Sequence, residues 1–232
     1  MPKNFLYEKR DGLVILTFNR PEKRNFLSEE LTLEYERLVG EVRDDKSARA
    51  LIVTGNSNSF CAGADVTPTR GVTDPEEIAR RFAPVAQVLG PSLGRSFDVV
   101  RNLAIPTICA VNGFAVGGGW AIALSFDFRI AAAGAEFWFP EVDLGAPMTG
   151  AIVHELLAHV GPAIMREITI NCRHYKAEEL LPLGLVNQVV KPAELMAGAL
   201  EMARKLVAKN AAAVALSKAA ITQWVNQASG RR

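Results

Sequence analysis

The sequence predicts an α/β fold in which parallel strands alternate with helices. Short apolar runs of strand-forming residues lie at 13–18, 50–54 and 107–111. The segments between them, at about 28–43 and 75–102, have helical patterns. Consecutive strands that are joined through a helix pair in parallel, because the chain must cross back over the sheet before the next strand begins.

The first strand and the first helix carry clear end signals. Turn-favouring residues at 19–22 (NRPE) close the strand. Ser28 has the chemistry of an N-cap, and Glu29 and Glu30 put negative charge in the first turn of the helix that follows. These signals place the start of the helix at about residue 28.

The second half of the chain is richer in helical patterns. The apolar run 120–124, just after a glycine triplet, predicts a buried helix, and 128–132 predicts another strand. Almost everything after Ala151 has helical character, and the apolar residues of 201–209 and 211–227 are spaced for packing one helix face. The intervals between strand starts show no fixed period, which leaves a β/α spiral with irregular turns rather than a solenoid of identical units.

Composition and charge favour a single globular enzyme. With 232 residues and 49% hydrophobic content, the chain can bury one sizeable core. Lys and Arg number 26 against 25 Asp and Glu, so the net charge of +1 provides no broad basic surface for nucleic acid or for an anionic membrane. We therefore expect no nucleic-acid or membrane partner, and any anionic ligand must be met by local charges.

The cysteines and the N-terminus indicate a reducing compartment. Cys61, Cys109 and Cys172 are far apart and lack the paired spacing of metal sites or disulfide frameworks, so we expect them to be reduced and mostly buried. The first residues lack an apolar signal core, and no run reaches the roughly 20 apolar residues of a membrane span. A cytoplasmic location is the default expectation.

Three glycine- or proline-containing motifs occur in a fixed order. They are FCAGAD at 60–65, NGFAVGGG at 112–119, and FPE at 139–141 with Gly145 four residues on. In order and spacing they resemble the motifs of the enoyl-CoA hydratase/isomerase (crotonase) superfamily. NRPEKRN at 19–25 and GLVN at 184–187 are further landmarks. The resemblance spans nearly the whole chain, so it is specific for the superfamily, whereas it says less about the individual reaction.

The resemblance implies a spiral of ββα turns with a C-terminal helical trimerisation region. It divides the chain into a core with the active site at 1–190 and an oligomerisation segment at 191–232, which form a homotrimer or a dimer of trimers. It also implies an acyl-CoA thioester as substrate; CoA enters as part of that substrate, and no metal or redox cofactor is expected. Many relatives continue beyond the position of Arg232 with further helices, so we expect the site cover or the trimer contacts to differ here.

The resemblance also implies an oxyanion hole formed by the backbone N–H groups of Ala64 and Gly118. The physical reason is independent of the family, because glycines let backbone approach a ligand closely and a helix that begins at the glycine triplet directs N–H groups outward. Two such donors would stabilise a thioester enolate. The glycine triplet alone is equally explained by a tight strand-to-helix connection, and segment 60–65 alone is better explained by an ordinary strand-end turn. It is their ordered combination that indicates a site.

Glu141 is the candidate acid/base, because forming the enolate requires a base near the α-carbon. If the apolar residues 137–140 line the pocket, they would desolvate its carboxylate and raise its pKa toward neutrality. Alternating aromatics on a strand could equally face a core or a subunit contact. Asp143 would point to the opposite face of an extended segment, so we do not pair it with Glu141.

The alanine at position 121 narrows the range of reactions that the resemblance allows. Hydratases of this family resemble the chain but carry a second glutamate at this position, and the two carboxylates activate water. A lone glutamate is the pattern of the enoyl-CoA isomerases, in which one carboxylate moves a proton from C2 to C4 of a 3-enoyl thioester. Two alternatives stay open: a hydratase or hydratase-lyase with a non-standard second acid/base, and a non-catalytic CoA-binding or scaffold homologue.

None of the remaining ionisable or phenolic residues supplies an evident second acid/base. Tyr7, Tyr35 and Tyr175 match no catalytic position of the family. We expect the three histidines, His154, His159 and His174, to take part in helix packing or to face solvent.

The resemblance assigns the substrate-binding residues. Lys23 and Arg24 are placed to meet the CoA phosphates, although a solvated pair of loop charges is nearly as good an account. Phe26 is bulky where relatives often have Ala, so it would narrow the CoA groove. The predicted acyl and CoA contacts are Lys23, Arg24, Phe26, Ala62, Asp65, Val66, Phe114, Gly117, Trp120, Pro140 and Leu144, with Phe139 as a further apolar candidate.

Overall fold

The computed structural model describes residues 2–69, 71–146, 148, 153, 156, 157 and 159–228. The described chain forms ten strands in two sheets, with helices on both faces of the larger sheet. The strands are β1 Phe5–Arg10, β2 Leu13–Phe18, β3 Ala50–Gly55, β4 Ser59–Cys61, β5 Thr107–Val111, β6 Phe114–Val116, β7 Phe128–Ala132, β8 Glu136–Trp138, β9 Tyr175–Lys176 and β10 Gln188–Val190.

The helices follow the α/β alternation that the sequence predicts. They are α1 Glu29–Asp44, α2 Pro75–Asn102, α3 Gly118–Leu124, α4 Pro162–Thr169, α5 Ala177–Leu180, α6 Leu195–Val207 and α7 Ala211–Ala228. Ser28 caps α1 as expected, since its hydroxyl accepts from the Leu31 N–H at 3.3 Å. Short 3-10 turns at Pro21–Lys23, Thr67–Thr69 and Pro192–Glu194 complete the described chain.

The larger sheet has the strand order β1-β2-β3-β5-β7-β10. All neighbouring pairs are parallel except the β1–β2 hairpin. Strand β3 shows why both faces are covered: Leu51 and Val53 point into the core formed with α1 and α2, whereas Ala50 and Ile52 point to the opposite face.

Helix α6 covers that opposite face. Its side chains Leu195, Ala199 and Ala203 are buried against the sheet. The small alanine side chains at one-turn spacing let the helix lie close to the strands. The division at residue 190 stays a prediction, but α6, on its C-terminal side, is packed against the main sheet.

The smaller sheet positions the candidate site. Its order is β4-β6-β8-β9, with β4, β6 and β8 parallel to one another and β9 antiparallel to β8. Because the three parallel strands point the same way, their carboxyl ends lie side by side at one edge. Each of the three sequence motifs continues from one of those ends.

The longer elements agree with the sequence prediction and the shortest ones do not. The expectation that almost everything after Ala151 is helical is wrong, since β9 and β10 lie in that region. β1, β4, β6 and β8 are additional strands; β1 has six residues, but its charged half gives no apolar run. Strands of two or three residues are too short to show an alternating pattern, and their pairing depends on distant partners.

Within the described ranges, no helix has the length and hydropathy needed to cross a bilayer, and no group of His, Cys, Asp and Glu side chains could hold a metal ion. The three cysteines are free and buried, as the sequence predicts. His159 is half-buried with its ring Nε2 3.0 Å from the Leu124 carbonyl, in agreement with a packing role. His154 lies outside the described residues.

Arg129 is a buried cation that closes the C-terminal end of α3. Its Nη1 donates to the Phe126 carbonyl at 2.7 Å, and its Nε donates to the Leu185 carbonyl at 2.8 Å. The residue is 3% exposed. Burial lowers the pKa of the Arg129 guanidinium to about 10, which still leaves it charged at neutral pH. The residue thus fastens the end of α3 to the segment that leads into β10.

Replacing Arg129 with Met is expected to lower the free energy of unfolding by about 3 kcal/mol, because the buried Phe126 and Leu185 carbonyls lose their donors. Urea denaturation of Arg129→Met measures the loss. Arg43→Met, at an exposed arginine paired with Asp44, serves as the control and should change stability by less than about 0.5 kcal/mol. Equal stabilities for the two variants would contradict this account of Arg129.

Candidate active site

The candidate site lies where the carboxyl ends of β4, β6 and β8 meet. β4 leads into loop 62–65, β6 leads directly into the glycine triplet at the start of α3, and β8 leads through Phe139 and Pro140 to Glu141. The pairing Val116↔Trp138 and the pairing Cys61↔Ala115 hold the three strand ends side by side. The structure therefore brings together the three motifs that the sequence singles out.

The backbones of the first two loops are in direct contact. Gly63 has φ +78°, and a Cβ atom there would lie 2.6 Å from the Val116 carbonyl oxygen. A Cβ atom at Gly119 would likewise lie 2.3 Å from the Cys61 carbonyl oxygen. Only glycine permits this approach, since any side chain would force the loops apart. The contact fixes the position of Ala64 relative to Gly118.

The two predicted oxyanion donors have no acceptor among the described residues. The N–H groups on either side of Ala64 are occupied or turned away, because Asp65 donates to the Leu27 carbonyl at 3.4 Å and the Gly63 N–H faces the Cys61 thiol. Gly118 is the first residue of α3, where no preceding turn supplies an acceptor for its N–H. Neither N–H group is therefore engaged by an acceptor within the described chain.

Glu141 stands beside this pair of loops. It begins a turn in which the Ala146 N–H donates to the Glu141 carbonyl at 2.8 Å. Its carboxylate Oε1 lies 2.8 Å from the place that a Gly117 Cβ would occupy. Gly117 has φ +49° and ψ −120°, a conformation that glycine adopts without strain. The lack of a side chain at Gly117 therefore creates the space in which the carboxylate sits.

The Glu141 carboxylate is largely buried, and its burial is only partly compensated by hydrogen bonding. Its Oε2 is inaccessible and has no hydrogen-bond partner among the described residues. Burial raises the pKa of Glu141 to about 7, and a hydrogen bond from its own backbone lowers it only in part. This pKa is close to the value that suits a general base at neutral pH.

The aromatic residues before Glu141 divide between two faces. Phe137 and Phe139 are fully buried and pack on Trp120, with the Phe139 and Trp120 ring centroids 4.7 Å apart. Trp138 points the other way and stacks on His174, with their ring centroids 4.3 Å apart. The structure thus supports the core alternative for Phe137 and Phe139.

Pro140 is the apolar neighbour that reaches the carboxylate's surroundings. Its Cδ lies 3.8 Å from the place that a Gly117 Cβ would occupy, on the same side as the Glu141 carboxylate. The ring therefore helps to enclose the space in which the carboxylate sits.

The other predicted acyl-pocket residues differ in their surroundings. Trp120 is 0% exposed, and its indole Nε1 has no partner among the described residues. Leu144 is half-buried in the turn after Glu141. Ala121 is fully buried on α3 and brings no polar side-chain atom. Asp143 is exposed, in agreement with leaving it unpaired with Glu141.

The predicted CoA residues lie on adjoining loops near Ala64. Lys23 and Arg24 are exposed in the turn after β2. The half-buried Phe26 ring lies under two cations, with Arg20 Cζ 5.0 Å and Lys23 Nζ 5.7 Å from its centroid. Ala62 donates its N–H to the Arg24 carbonyl at 3.1 Å, which ties the basic loop to loop 62–65.

Three further predicted contacts flank these loops. Asp65 is half-buried, and its carboxylate accepts from the Thr67 N–H at 2.9 Å. Val66 is 40% exposed. Phe114 is half-buried at the start of β6 and packs edge-on against Trp138. All three stay predictions as ligand contacts.

A separate cavity of about 720 Å³ lies beneath α7, at the end of α3 remote from Gly118. Leu124, Phe126 and Ile221 line it together with Lys218. The Lys218 ammonium donates to Asp127 at 2.8 Å and to the Val100 and Ile105 carbonyls, so its charge is already neutralised. Lys218 is therefore already engaged by the protein in this cavity, and none of the three sequence motifs contributes to the cavity lining.

Glu141→Gln is expected to stabilise the folded protein at pH 8 by up to about 3 kcal/mol. The folded pKa of about 7 lies above the ordinary value of 4.5, so the unfolded chain releases this proton first as the pH rises. Wild-type stability is thus lost between these two values and stays lower above them, whereas glutamine has no charge to bury. Urea denaturation at pH 5 and pH 8 measures the effect, which should shrink at pH 5; an equal difference at both pH values would contradict it.

Comparison with known proteins agrees with the geometry. The family model described as enoyl-CoA hydratase/isomerase matches residues 8–231. The chain is 38% identical over 221 residues to a short-chain-enoyl-CoA hydratase of Clostridium acetobutylicum, a match that covers 95% of this chain and 81% of the relative.

Two solved structures extend the comparison. An enoyl-CoA hydratase subunit I of Geobacillus kaustophilus has a TM-score of 0.82 at 31% identity, over 97% of this chain and 83% of that one. A monofunctional enoyl-CoA isomerase of M. smegmatis has a TM-score of 0.78 at 26% identity, over 96% of this chain and 94% of that one. The chain has the crotonase fold and belongs to the enoyl-CoA hydratase/isomerase family.

Proposed function

We propose that this acyl-CoA-processing enzyme moves the double bond of an enoyl-CoA, with Glu141 as its single acid/base. The observation that carries the proposal is the buried Glu141 carboxylate, whose Oε2 has no partner in the described chain, next to the loops that carry the N–H groups of Ala64 and Gly118, which have no acceptor there. A pKa of about 7 lets the same group accept a proton and return it at neutral pH. Ala121 adds no second carboxylate.

The proposed reaction begins with a 3-enoyl thioester. The Glu141 carboxylate removes a proton from C2, and the electron pair of that C–H bond moves toward the thioester carbonyl to give a dienolate. The N–H groups of Ala64 and Gly118 donate to the negative oxygen, where preorganised donors act most strongly. Glu141 then delivers the proton to C4, the double bond forms between C2 and C3, and the carboxylate is regenerated.

Binding of the CoA arm is proposed for the loops next to Ala64. Lys23 and Arg24 would meet the phosphates, with Phe26, Val66 and Phe114 along the path and the backbone of Ala62 and Asp65 beside it. Gly117, Trp120, Pro140 and Leu144 would lie on the acyl side of the reacting carbons. The exposed basic loop and the half-buried apolar residues support this direction of binding.

A homotrimer, or a dimer of trimers, is proposed as the assembly. Three large apolar side chains of α7 are exposed in the single chain: Leu216 at 72%, Ile221 at 63% and Trp224 at 69%. Apolar area of this kind on one helix is typical of a surface that another protein covers. We propose the cytoplasm as the location.

Water addition to a 2-enoyl-CoA is the second candidate. It is favoured by the similarity to the short-chain-enoyl-CoA hydratase, at 38% identity. A hydratase with this chain's residues would have to hold and activate water with Glu141 and a group other than the side chain of residue 121. A hydratase-lyase would need the same replacement.

An ultraviolet assay separates the two candidates. With a 3-enoyl-CoA, wild type should produce the conjugated product, and Glu141→Ala should lower the rate by about 10²–10⁴-fold because the proton carrier is removed. Asp143→Ala, two residues on at an exposed carboxylate, is the matched control and should keep full activity. The same proteins are then given a 2-enoyl-CoA, and loss of conjugation is followed.

Conjugation of the first substrate without hydration of the second, dependent on Glu141, is the expected result. Efficient hydration of the 2-enoyl-CoA with no isomerisation would overturn the isomerase proposal in favour of a hydratase. Loss of neither activity in Glu141→Ala would remove Glu141 from the mechanism. Inactivity of wild type with a range of enoyl-CoA chain lengths would favour a non-catalytic homologue.

Gly117→Ala should lower the isomerisation rate by about 10²–10³-fold, since its methyl group would displace the Glu141 carboxylate and disturb the adjacent Gly118 donor. Gly134→Ala is the control, because Gly134 also has a positive φ (+77°) but has open space where the methyl group would go. Rates per folded protein are compared after both variants have been checked by circular dichroism. Equal losses in the two variants would assign the effect to backbone strain alone.

A further inference from the structure

Asn25 is a fully buried polar residue at the end of the basic loop. It has φ +55°, in the left-handed region that asparagine tolerates better than most residues. Its Oδ1 accepts from the Arg20 N–H at 2.8 Å. Its Nδ2 donates to the Ser59 carbonyl at 2.9 Å and to the Phe60 carbonyl at 3.2 Å. One side chain thus connects the start of the basic loop to strand β4.

The backbone on both sides of Asn25 continues this connection. The Arg24 carbonyl accepts from the Ala62 N–H at 3.1 Å, and the Leu27 N–H donates to the Gly63 carbonyl at 2.7 Å. The Leu27 carbonyl in turn accepts from Asp65 at 3.4 Å. These bonds flank Ala64 on both sides, and the Ala64 N–H itself has no acceptor in the described chain. The segment around Asn25 therefore determines where the Ala64 N–H points.

We propose that Asn25 is a positioning residue for the reaction, which holds the Ala64 N–H in line with the thioester oxygen. The proposal rests on the proposed function, in which Ala64 is one of the two oxyanion donors. Asn25 is 0% exposed, so it acts through β4 and loop 62–65 and does not touch the substrate.

The chemistry of the amide explains why this position needs asparagine. The site presents a donor, the Arg20 N–H, and three acceptors, the Ser59, Phe60 and, at 3.4 Å, Asn56 carbonyls. An amide side chain satisfies both kinds of partner, whereas aspartate would set a carboxylate against these carbonyl oxygens. Loss of the Nδ2 bonds to Ser59 and Phe60 would free β4 to shift by a fraction of an ångström.

Such a shift should reduce the turnover rate more than substrate affinity. The Ala64 N–H gains most of its interaction energy when negative charge develops on the thioester oxygen, so a misplaced donor costs more in the transition state than in the bound substrate. We expect kcat for Asn25→Gly to fall by about 10–100-fold, with KM changing by less than about threefold. Glycine keeps the left-handed backbone available, so the variant removes the amide without adding backbone strain.

The readout that distinguishes positioning from general stability is spectroscopic. An aryl-conjugated enoyl-CoA absorbs at longer wavelength when its thioester carbonyl accepts strong hydrogen bonds. Saturated wild type should show this red shift, and Asn25→Gly should show a clearly smaller one. Asn25→Asp, which keeps the size and the tolerance for a positive φ, is the second variant if Asn25→Gly fails to fold.

Asn4→Ala is the matched control. Asn4 is also buried, at 3% exposure, and its Nδ2 donates to Glu34 on α1 at 2.8 Å, but its side chain makes no hydrogen bond to β4 or to loop 62–65 in the described chain. The substitution should lower the melting temperature while the red shift and kcat per folded protein stay at wild-type values.

The outcomes separate this proposal from the function on which it rests. A red shift and Glu141-dependent turnover in wild type, both reduced in the Asn25 variants, would support it. The full red shift and full kcat in either folded Asn25 variant would overturn the role of Asn25 and leave the proposed function intact. Absence of the red shift in wild type would overturn the oxyanion assignment and the role of Asn25 together.

Discussion

The direct contact between two backbone segments, 61–65 and 116–119, is the constraint on which the candidate site depends. The parallel order of β4 and β6 brings the segments to the same sheet edge, and Gly63 and Gly119 let them touch. A side chain at either position would separate Ala64 from Gly118. The two loops can therefore approach this closely only because both lack side chains at the contact.

The tight packing around Gly117 also affects the basicity of the Glu141 carboxylate. The space beside Gly117 admits the carboxylate but leaves its Oε2 without a hydrogen-bond partner in the described chain. Burial of the carboxylate disfavours its ionised form, which weakens the folded state and strengthens the base at the same time. A salt bridge in this position would stabilise the fold and remove the basicity, so the surroundings of Glu141 suit proton transfer at the expense of stability.

The sequence predicts the long helices and strands well because the pattern of their own residues determines their structure. The helix predicted at 75–102 and the strand predicted at 107–111 agree with the structure to the residue. Pairing with remote segments creates the short strands β4, β6 and β8, so no local pattern predicts them. The candidate site lies at the ends of these strands, and motif resemblance locates Glu141 and the glycines where periodicity cannot. Asn25 is only a landmark in a motif, because its burial and its φ of +55° emerge when loop 20–27 folds against β4.

Membership of the family and the type of reaction are indicated by different parts of the chain. The match over residues 8–231 establishes the family. The oxyanion donors proposed here would stabilise an enolate oxygen whatever happens at the carbon atoms. Whether the carbon atoms gain water or only exchange a proton depends on the side chains next to them. Addition of water requires a group that holds the water in place as well as a group that moves a proton, and the methyl side chain of the buried Ala121 offers no polar atom. Proton transfer between two carbons requires one carboxylate with a pKa near neutrality, which is what Glu141 provides.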